Sequence, residues 1–281
     1  AIYCNNMPHA QMFTGKSLVL GGSHQINQLS PDSFYGDLSA VIIKNLPFWA
    51  ELLRTPNMEI ALMDNYEEKI EKMAQATIDV NVTNIAGVPT WTIVLAKRIL
   101  EITGKQTIKE VWPDFELYIH GGVSFTPYRE QFKKIIGGEC NYIEIYNASE
   151  GFFAFQDTRE EQGLLLNTNS GIYFEFIPLA NIHEANPVRL NLSQVELGAQ
   201  YALIINSNAG LWGYNIGDTV KFVSIDPYRI IVTGRVKHFI SAFGEHVIGE
   251  EVEAAMLEVA KEMNVSIVEF TVAPYITQGD G

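Results

Sequence analysis

The chain has 281 residues, 47% of them hydrophobic and 19% charged, as in an ordinary globular protein with room for one large domain or two smaller ones. A formal net charge of −14 argues against broad binding to a nucleic-acid backbone, and no apolar run reaches the roughly 18 residues that a membrane helix needs. Cys4 and Cys140 form neither a metal-ligand spacing nor a disulfide framework, so the expected setting is reducing and cytoplasmic, with neither nucleic acid nor membrane as partner.

Residues 14–17, TGKS, look like the tail of a phosphate loop, but Ala10 stands where that motif needs glycine, so the loop is rejected. The apolar stretch 37–54 is divided by Pro47 into two short helical pieces. Asp64 and Glu67 have the spacing of a capping box, and Tyr66, Ile70, Met73, Ala74 and Thr77 then share one helix face. A strand or buried loop is expected at 80–85, followed by a helix that opens near Pro89 and stops at Gly104. Phe115, Leu117 and Ile119 alternate, which predicts a strand ending at His120. Gly121, Gly122, Val123, Ser124 and Phe125 form a loop, and Thr126-Pro127 caps and starts the next helix. With the strand expected at 142–146 this makes a βαβ unit on a parallel sheet.

That last strand ends where Asn147, Ala148, Ser149 and Gly151 break it. It delivers an aromatic ring, a hydroxyl and a carboxylate, from Tyr146, Ser149 and Glu150, at the strand end where open α/β sheets bind ligands. A ring can stack on a base, a hydroxyl can bond a phosphate oxygen and a carboxylate can hold hydrated Mg²⁺. From 151 to 233 the hydrophobic period is two, with short strands expected at 152–155, 163–166, 172–177, 200–206, 218–224 and 228–233, the last two joined as a hairpin at Asp226-Pro227. Asp218 is read as an acid at a strand start, able to accept both hydroxyls of a ribose, and Arg235 as a cation within reach of ribose or phosphate. A loop or bent strand at 234–244 precedes a helix at 249–263, with Val252, Ala255, Met256, Val259 and Met263 inward, and a strand at 265–273.

Together, GVPTW at 87–91, HGGVSFTP at 120–127, YNASEG at 146–151, NAGLWGYNIGD at 208–218 and GRVKHFISAFGE at 234–245 resemble the adenylate-forming enzyme superfamily. They are most similar to its amido-synthetase branch, the plant auxin-responsive acyl-acid amido synthetases and their bacterial relatives. The resemblance implies an α/β fold: a large N-terminal domain, 1–236, of mixed and parallel sheets flanked by helices with a β-rich subdomain, then the start of a small α+β domain, 237–281, hinged at Lys237. It also implies that Gly121, Gly122, Val123 and Ser124 line the adenine and the acyl-phosphate, and that Tyr146 packs on the adenine. Ser149 would bond the α-phosphate, Glu150 would bind Mg²⁺, Asp218 would hold the ribose hydroxyls and Arg235 would contact ribose or phosphate. The family's Ser/Thr/Gly-rich phosphate loop would lie upstream of Ala1 and the rest of the small domain beyond Gly281, so the expectation is a piece of a longer enzyme.

The implied reaction uses ATP and Mg²⁺ to convert a small carboxylic acid to an acyl-adenylate, releasing pyrophosphate, and then passes the acyl group to an amino acid, releasing AMP. An acyl- or aryl-coenzyme A ligase shares the first half-reaction, and a non-catalytic nucleotide-binding protein is the alternative from another class. Glu139, Glu144, Glu150 and Glu175 form a weak case for a paired-carboxylate glycosidase, and the histidines have no metal spacing. Phe152, Phe153 and Phe155 read as core. Val88, Trp91, Phe125 and Tyr128 are candidates for an acid-pocket wall, with core packing as the competing role.

Overall fold

A parallel strand with helices on both faces has to be apolar on both sides, and residues 117–120 form such a strand, with Leu117, Tyr118 and His120 all buried. In the computed structural model of the protein, residues 2–7, 9–21, 26–31, 33–36, 38–160, 162–236, 240–242, 245–247, 249–263 and 265 are described. By its internal contacts the chain divides into two units, Ala1–Ile145 and Tyr146–Gly281. This division falls within the stretch expected as one domain, and the expected hinge at Lys237 and most of the strand at 265–273 lie outside the described residues.

The N-terminal unit opens with α1 (Ile2–Asn6), β1 (Lys16–Val19), the hairpin β2 (Ile26–Ser30) and β3 (Ser33–Gly36), and α2 (Leu38–Lys44). α3 (Phe48–Leu53), β4 (Arg54–Thr55), α4 (Met58–Ala61), α5 (Tyr66–Thr77) and β5 (Val82–Ala86) follow. Next come α6 (Pro89–Thr103), α7 (Ile108–Val111), β6 (Leu117–His120), α8 (Arg129–Ile136) and β7 (Asn141–Ala148), whose last residues run into the second unit. The strands lie in the order β7-β6-β5-β1-β4, and each pairing is parallel. Lys16 and Ser17 therefore sit in a strand paired on both sides, not in a phosphate loop.

The expected βαβ unit is β6-α8-β7, with Leu117 opposite Asn141 and His120 opposite Glu144. Local details differ from the sequence reading. The cap of α5 is Asn65, not Asp64, its side chain accepting the Glu68 amide. Lys69 joins the buried face of α5, while Tyr66, in the first turn, is exposed. Thr126-Pro127 starts a single 3₁₀ turn, with Tyr128 capping α8, because proline can open a helical turn but supplies no amide to continue one backward. Gly104 ends α6 in the left-handed conformation with its amide on Leu100 O. The core packs Trp112, Phe115, Tyr118, Phe132 and Ile99 between helices and sheet, each fully buried side chain contributing roughly 1.5–3 kcal/mol.

The C-terminal unit is antiparallel. Its strands are β8 (Gly151–Phe155), β9 (Leu164–Leu166), β10 (Ile172–Pro178), β11 (Gln200–Ser207), β12 (Tyr214–Ile225) and β13 (Tyr228–Arg235), in the order β10-β11-β12-β13-β9-β8. The short hairpin β14 (Ile240–Ala242) and β15 (Glu245–Val247) and the helix α9 (Gly249–Glu262) follow. Asp226-Pro227 is the turn between β12 and β13, as expected. Edge-to-face rings fill the core: Phe176 lies 5.0 Å from Phe222 and 5.9 Å from Tyr201, near-perpendicular to both. Of the three phenylalanines at 152–155 only Phe153 is fully buried; Phe152, on the opposite face of β8, is exposed. α9 presents Val252 and Met256 inward, as expected, together with Ala260, whereas Ala255, Val259 and Met263, expected on the same stripe, are exposed.

Candidate functional site

In the N-terminal unit the candidate loop leaves the end of β6. Gly121 runs against the neighbouring strand so tightly that a Cβ on it would lie 2.3 Å from Ile145 O, and Gly122 has φ +82°, a conformation that favours glycine. Both glycines are therefore required by the backbone itself. Val123 is exposed and Ser124 half-buried. Beneath them His120 is 3% exposed and stacks on Phe125 at 4.1 Å. Burial, and then the nearby Arg129 charge, push its imidazole down to about 3, so it is neutral at ordinary pH. Its buried Nδ1 has no hydrogen-bond partner among the described residues.

Tyr118 stacks on Phe132 at 4.6 Å and donates its hydroxyl to Gly87 O at 2.9 Å, which fixes the GVPTW turn. Phe125 and Tyr128, two of the four candidates for a pocket wall, are core residues, while Val88 and Trp91 are half-buried.

In the C-terminal unit three of the expected residues, Tyr146, Asp218 and Arg235, form one group, and a fourth, Glu150, is paired with Tyr214. β7 continues through Asn147 and Ala148, two residues beyond the expected break, and Ser149 and Glu150 make the turn into β8. Tyr146 is 7% exposed, rooted in the core with its ring 5.1 Å from Phe153. Its hydroxyl donates to Asp218 Oδ2 at 2.7 Å, and Arg235 Nε donates to Asp218 Oδ1 at 2.8 Å. Burial, and then the Asp218 charge, raise the Tyr146 phenol well above its ordinary value, so the hydroxyl remains a donor.

Asp218 is not at a strand start. It lies mid-way along β12, directly opposite Arg235 on β13, because β12 begins at Tyr214. Irregularities bracket it: on one side β12 carries extra residues against Ala202 and Ile204, and on the other the register slips between Thr219 and Val220. Gly217, at φ +87°, makes the first bulge possible, and the Asn215 side chain accepts its amide at 2.9 Å. Bulges of this kind turn a side chain away from its regular direction.

The second pair is Tyr214 and Glu150: the Tyr214 hydroxyl donates to Glu150 Oε1 at 3.1 Å, and this bond raises the phenol. Tyr214 lies within the motif at 208–218, but nothing in the local sequence shows that it faces Glu150. The loop ahead of it is held by Asn206, which accepts the Gly213 amide at 2.7 Å and donates to Glu175 Oε2 at 2.9 Å. Glu175 is thereby a structural group on β10. Ser149 is exposed in its turn. Among the described residues no cluster of three or more His, Cys, Asp or Glu is arranged to hold a metal ion, and no helix is long and apolar enough to cross a membrane.

Comparison with known proteins identifies the family. The GH3 family N-terminal domain matches residues 2–140 and the GH3 family central domain residues 165–235. The chain belongs to the GH3 family. A jasmonoyl–L-amino acid synthetase of Nicotiana attenuata is 33% identical over 121 residues, covering 41% of this chain and 21% of its own length. Another, of Oryza sativa subsp. japonica, is 33% identical over 132 residues, covering 41% of this chain and 22% of its own. The solved GH3.15 acyl acid amido synthetase superposes with a TM-score of 0.74 at 14% identity, over 93% of this chain and 55% of that one. A 2-hydroxyisobutyryl-CoA ligase in complex with its acyl-AMP superposes with a TM-score of 0.51 at 13% identity, over 87% of this chain and 48% of that one. The fold of this GH3 chain is therefore that of the adenylate-forming enzymes, and the chain spans about half the length of the solved relatives it matches.

Proposed function

We propose that the protein containing this chain is an acyl-acid amido synthetase: it uses ATP to activate a small carboxylic acid as the acyl-adenylate and transfers the acyl group to an amino acid. The observation that carries this reading is the buried Asp218 carboxylate, held by Tyr146 on one oxygen and Arg235 on the other. A carboxylate fixed in this way suits a vicinal diol such as ribose, whose two hydroxyls donate to its two oxygens. The chemistry needs no covalent enzyme nucleophile. Positioning and charge stabilisation supply the rate, and mutual orientation alone accounts for up to roughly 7–11 kcal/mol in well-aligned reactions.

The other site residues keep the parts that the family resemblance implies. Asp218 holds the ribose hydroxyls, Arg235 contacts ribose or phosphate, and Ser149 bonds the α-phosphate. The backbone of Gly121, Gly122, Val123 and Ser124 serves the adenine and the acyl-phosphate. Glu150 fits Mg²⁺: a single hard oxygen donor suits an ion that keeps most of its waters and takes the rest of its ligands from phosphate. When bound, Mg²⁺ would offset charge on the phosphates. Lys237 is the proposed hinge between domains at 1–236 and 237–281. The two free thiols, Cys4 and Cys140, fit a cytoplasmic setting.

The test is acid-dependent exchange of pyrophosphate into ATP by the full protein, followed by product analysis with amino acids and with coenzyme A offered separately. Exchange with an acid and an amide product establish the reading. A thioester product assigns the protein to the coenzyme A ligases, and nucleotide binding without exchange across a broad panel of acids leaves a binding protein only.

A further inference from the structure

Asp218 has a donor on each oxygen, and the two donors differ in kind. Arg235 reaches in from a largely exposed position, its side chain 58% accessible, whereas Tyr146 approaches from the core. A carboxylate oxygen has two lone-pair directions, so each still accepts one further hydrogen bond. With both oxygens pinned, the plane of the carboxylate is set before a ligand binds, and the two remaining directions are aimed together. Tyr146 is suited to this task because its ring is packed against Phe153 and its hydroxyl stays protonated. The same burial counts against the ring as a stacking platform, since only 7% of the residue is accessible.

We propose that Tyr146 serves the nucleotide through its hydroxyl, as the positioning residue that sets Asp218 to grip a vicinal diol, and that this makes the site select ribonucleotides over 2′-deoxyribonucleotides. The proposal rests on the nucleotide reading given above. It assigns to the phenol oxygen what the family resemblance assigns to the ring face, and the two are separable by experiment.

The experiment is calorimetric titration of Mg-ATP and Mg-2′-deoxy-ATP into the full protein, for the wild type and for Tyr146→Phe, Asp218→Asn and Arg235→Gln. Tyr146→Phe keeps the ring and removes one oxygen. The bond is present before ligand binds, so its loss acts by freeing the Asp218 carboxylate to rotate; removing such an orienting partner costs about tenfold in affinity, so ATP should bind Tyr146→Phe about tenfold more weakly, with a smaller loss for the deoxynucleotide. The ribo-over-deoxy ratio falls, which general loosening of the fold would not produce. Arg235→Gln should lower the ratio in the same direction. An unchanged ratio and affinity in Tyr146→Phe overturns the proposal and leaves the ring as the active part. A wild type that does not distinguish the two nucleotides, with Asp218→Asn binding as the wild type does, overturns the nucleotide reading itself. Should Tyr146→Phe not fold, site-specific 3-fluorotyrosine at 146 keeps the shape and strengthens the donor: the ratio should rise, and an unchanged ratio overturns the proposal.

Discussion

The two units present their candidate groups by opposite means. In the N-terminal unit the work falls to backbone: a parallel strand buried on both faces runs out into Gly121 and Gly122, where a side chain is excluded by Ile145 O or by a left-handed φ. In the C-terminal unit it falls to side chains, two carboxylates each held by a tyrosine across an antiparallel sheet. The buried pair, Tyr146 and Asp218, is short and reinforced by Arg235; the exposed pair, Tyr214 and Glu150, is longer. A backbone site offers no side chain to remove, whereas a side-chain site can be dismantled one atom at a time.

The largest effect should come from the side-chain unit. Glu150→Ala in the full protein is expected to lower acid-dependent pyrophosphate exchange by about a hundredfold or more, measured at saturating ATP, because it removes the proposed Mg²⁺ ligand. Exchange at the wild-type rate would break the comparison by showing that this carboxylate is not part of the chemistry.

Next in size is an acid limb of stability from the N-terminal unit. His120 is neutral and buried, with its imidazole depressed from 6.5 to about 3. The unfolded chain binds this proton below pH 6.5 and the folded one does not, so stability is fully present above pH 6.5 and falls as pH drops toward 3. The loss amounts to roughly a few kcal/mol at the low end. His120→Leu should flatten that limb in urea unfolding measured at several pH values, and an equally steep limb would place the cause elsewhere.

Gly121→Ala should cost about 1–3 kcal/mol, read as a lower thermal midpoint, since β6 and β7 must part to admit a methyl group. Smallest is Tyr214→Phe. Its bond to Glu150 is exposed and competes with solvent, so the Mg²⁺ requirement should rise only a few-fold while stability is unchanged. A larger effect than in Tyr146→Phe would invert the ranking of the two pairs.

Much of the architecture is legible in the order of residues, because it depends on local periodicity and on punctuation. The βαβ unit, the Pro47 break, the Gly104 stop, the Asp226-Pro227 hairpin and the change to period two after Gly151 all follow from near neighbours in sequence. Gly121, Gly122, Tyr146, Glu150, Asp218 and Arg235 stand out in the sequence as candidates, with roles that the family resemblance implies.

Only the tertiary structure decides what those residues touch. Asp218 looks like an acid at a strand start because NIGD reads as a turn, yet pairing with β11 and β13 extends β12 across it and leaves the bulge at Gly217. Tyr146 and Asp218 are 72 positions apart, as Tyr214 and Glu150 are 64, and no local pattern encodes such distances. α9 shows the same limit on a smaller scale: its apolar residues allow two overlapping stripes, and packing selects the one through Ala260. Sequence by itself determined which groups are available and on which kinds of element they ride. Long-range strand pairing, whose register is set by burial of whole faces, determined which of them meet.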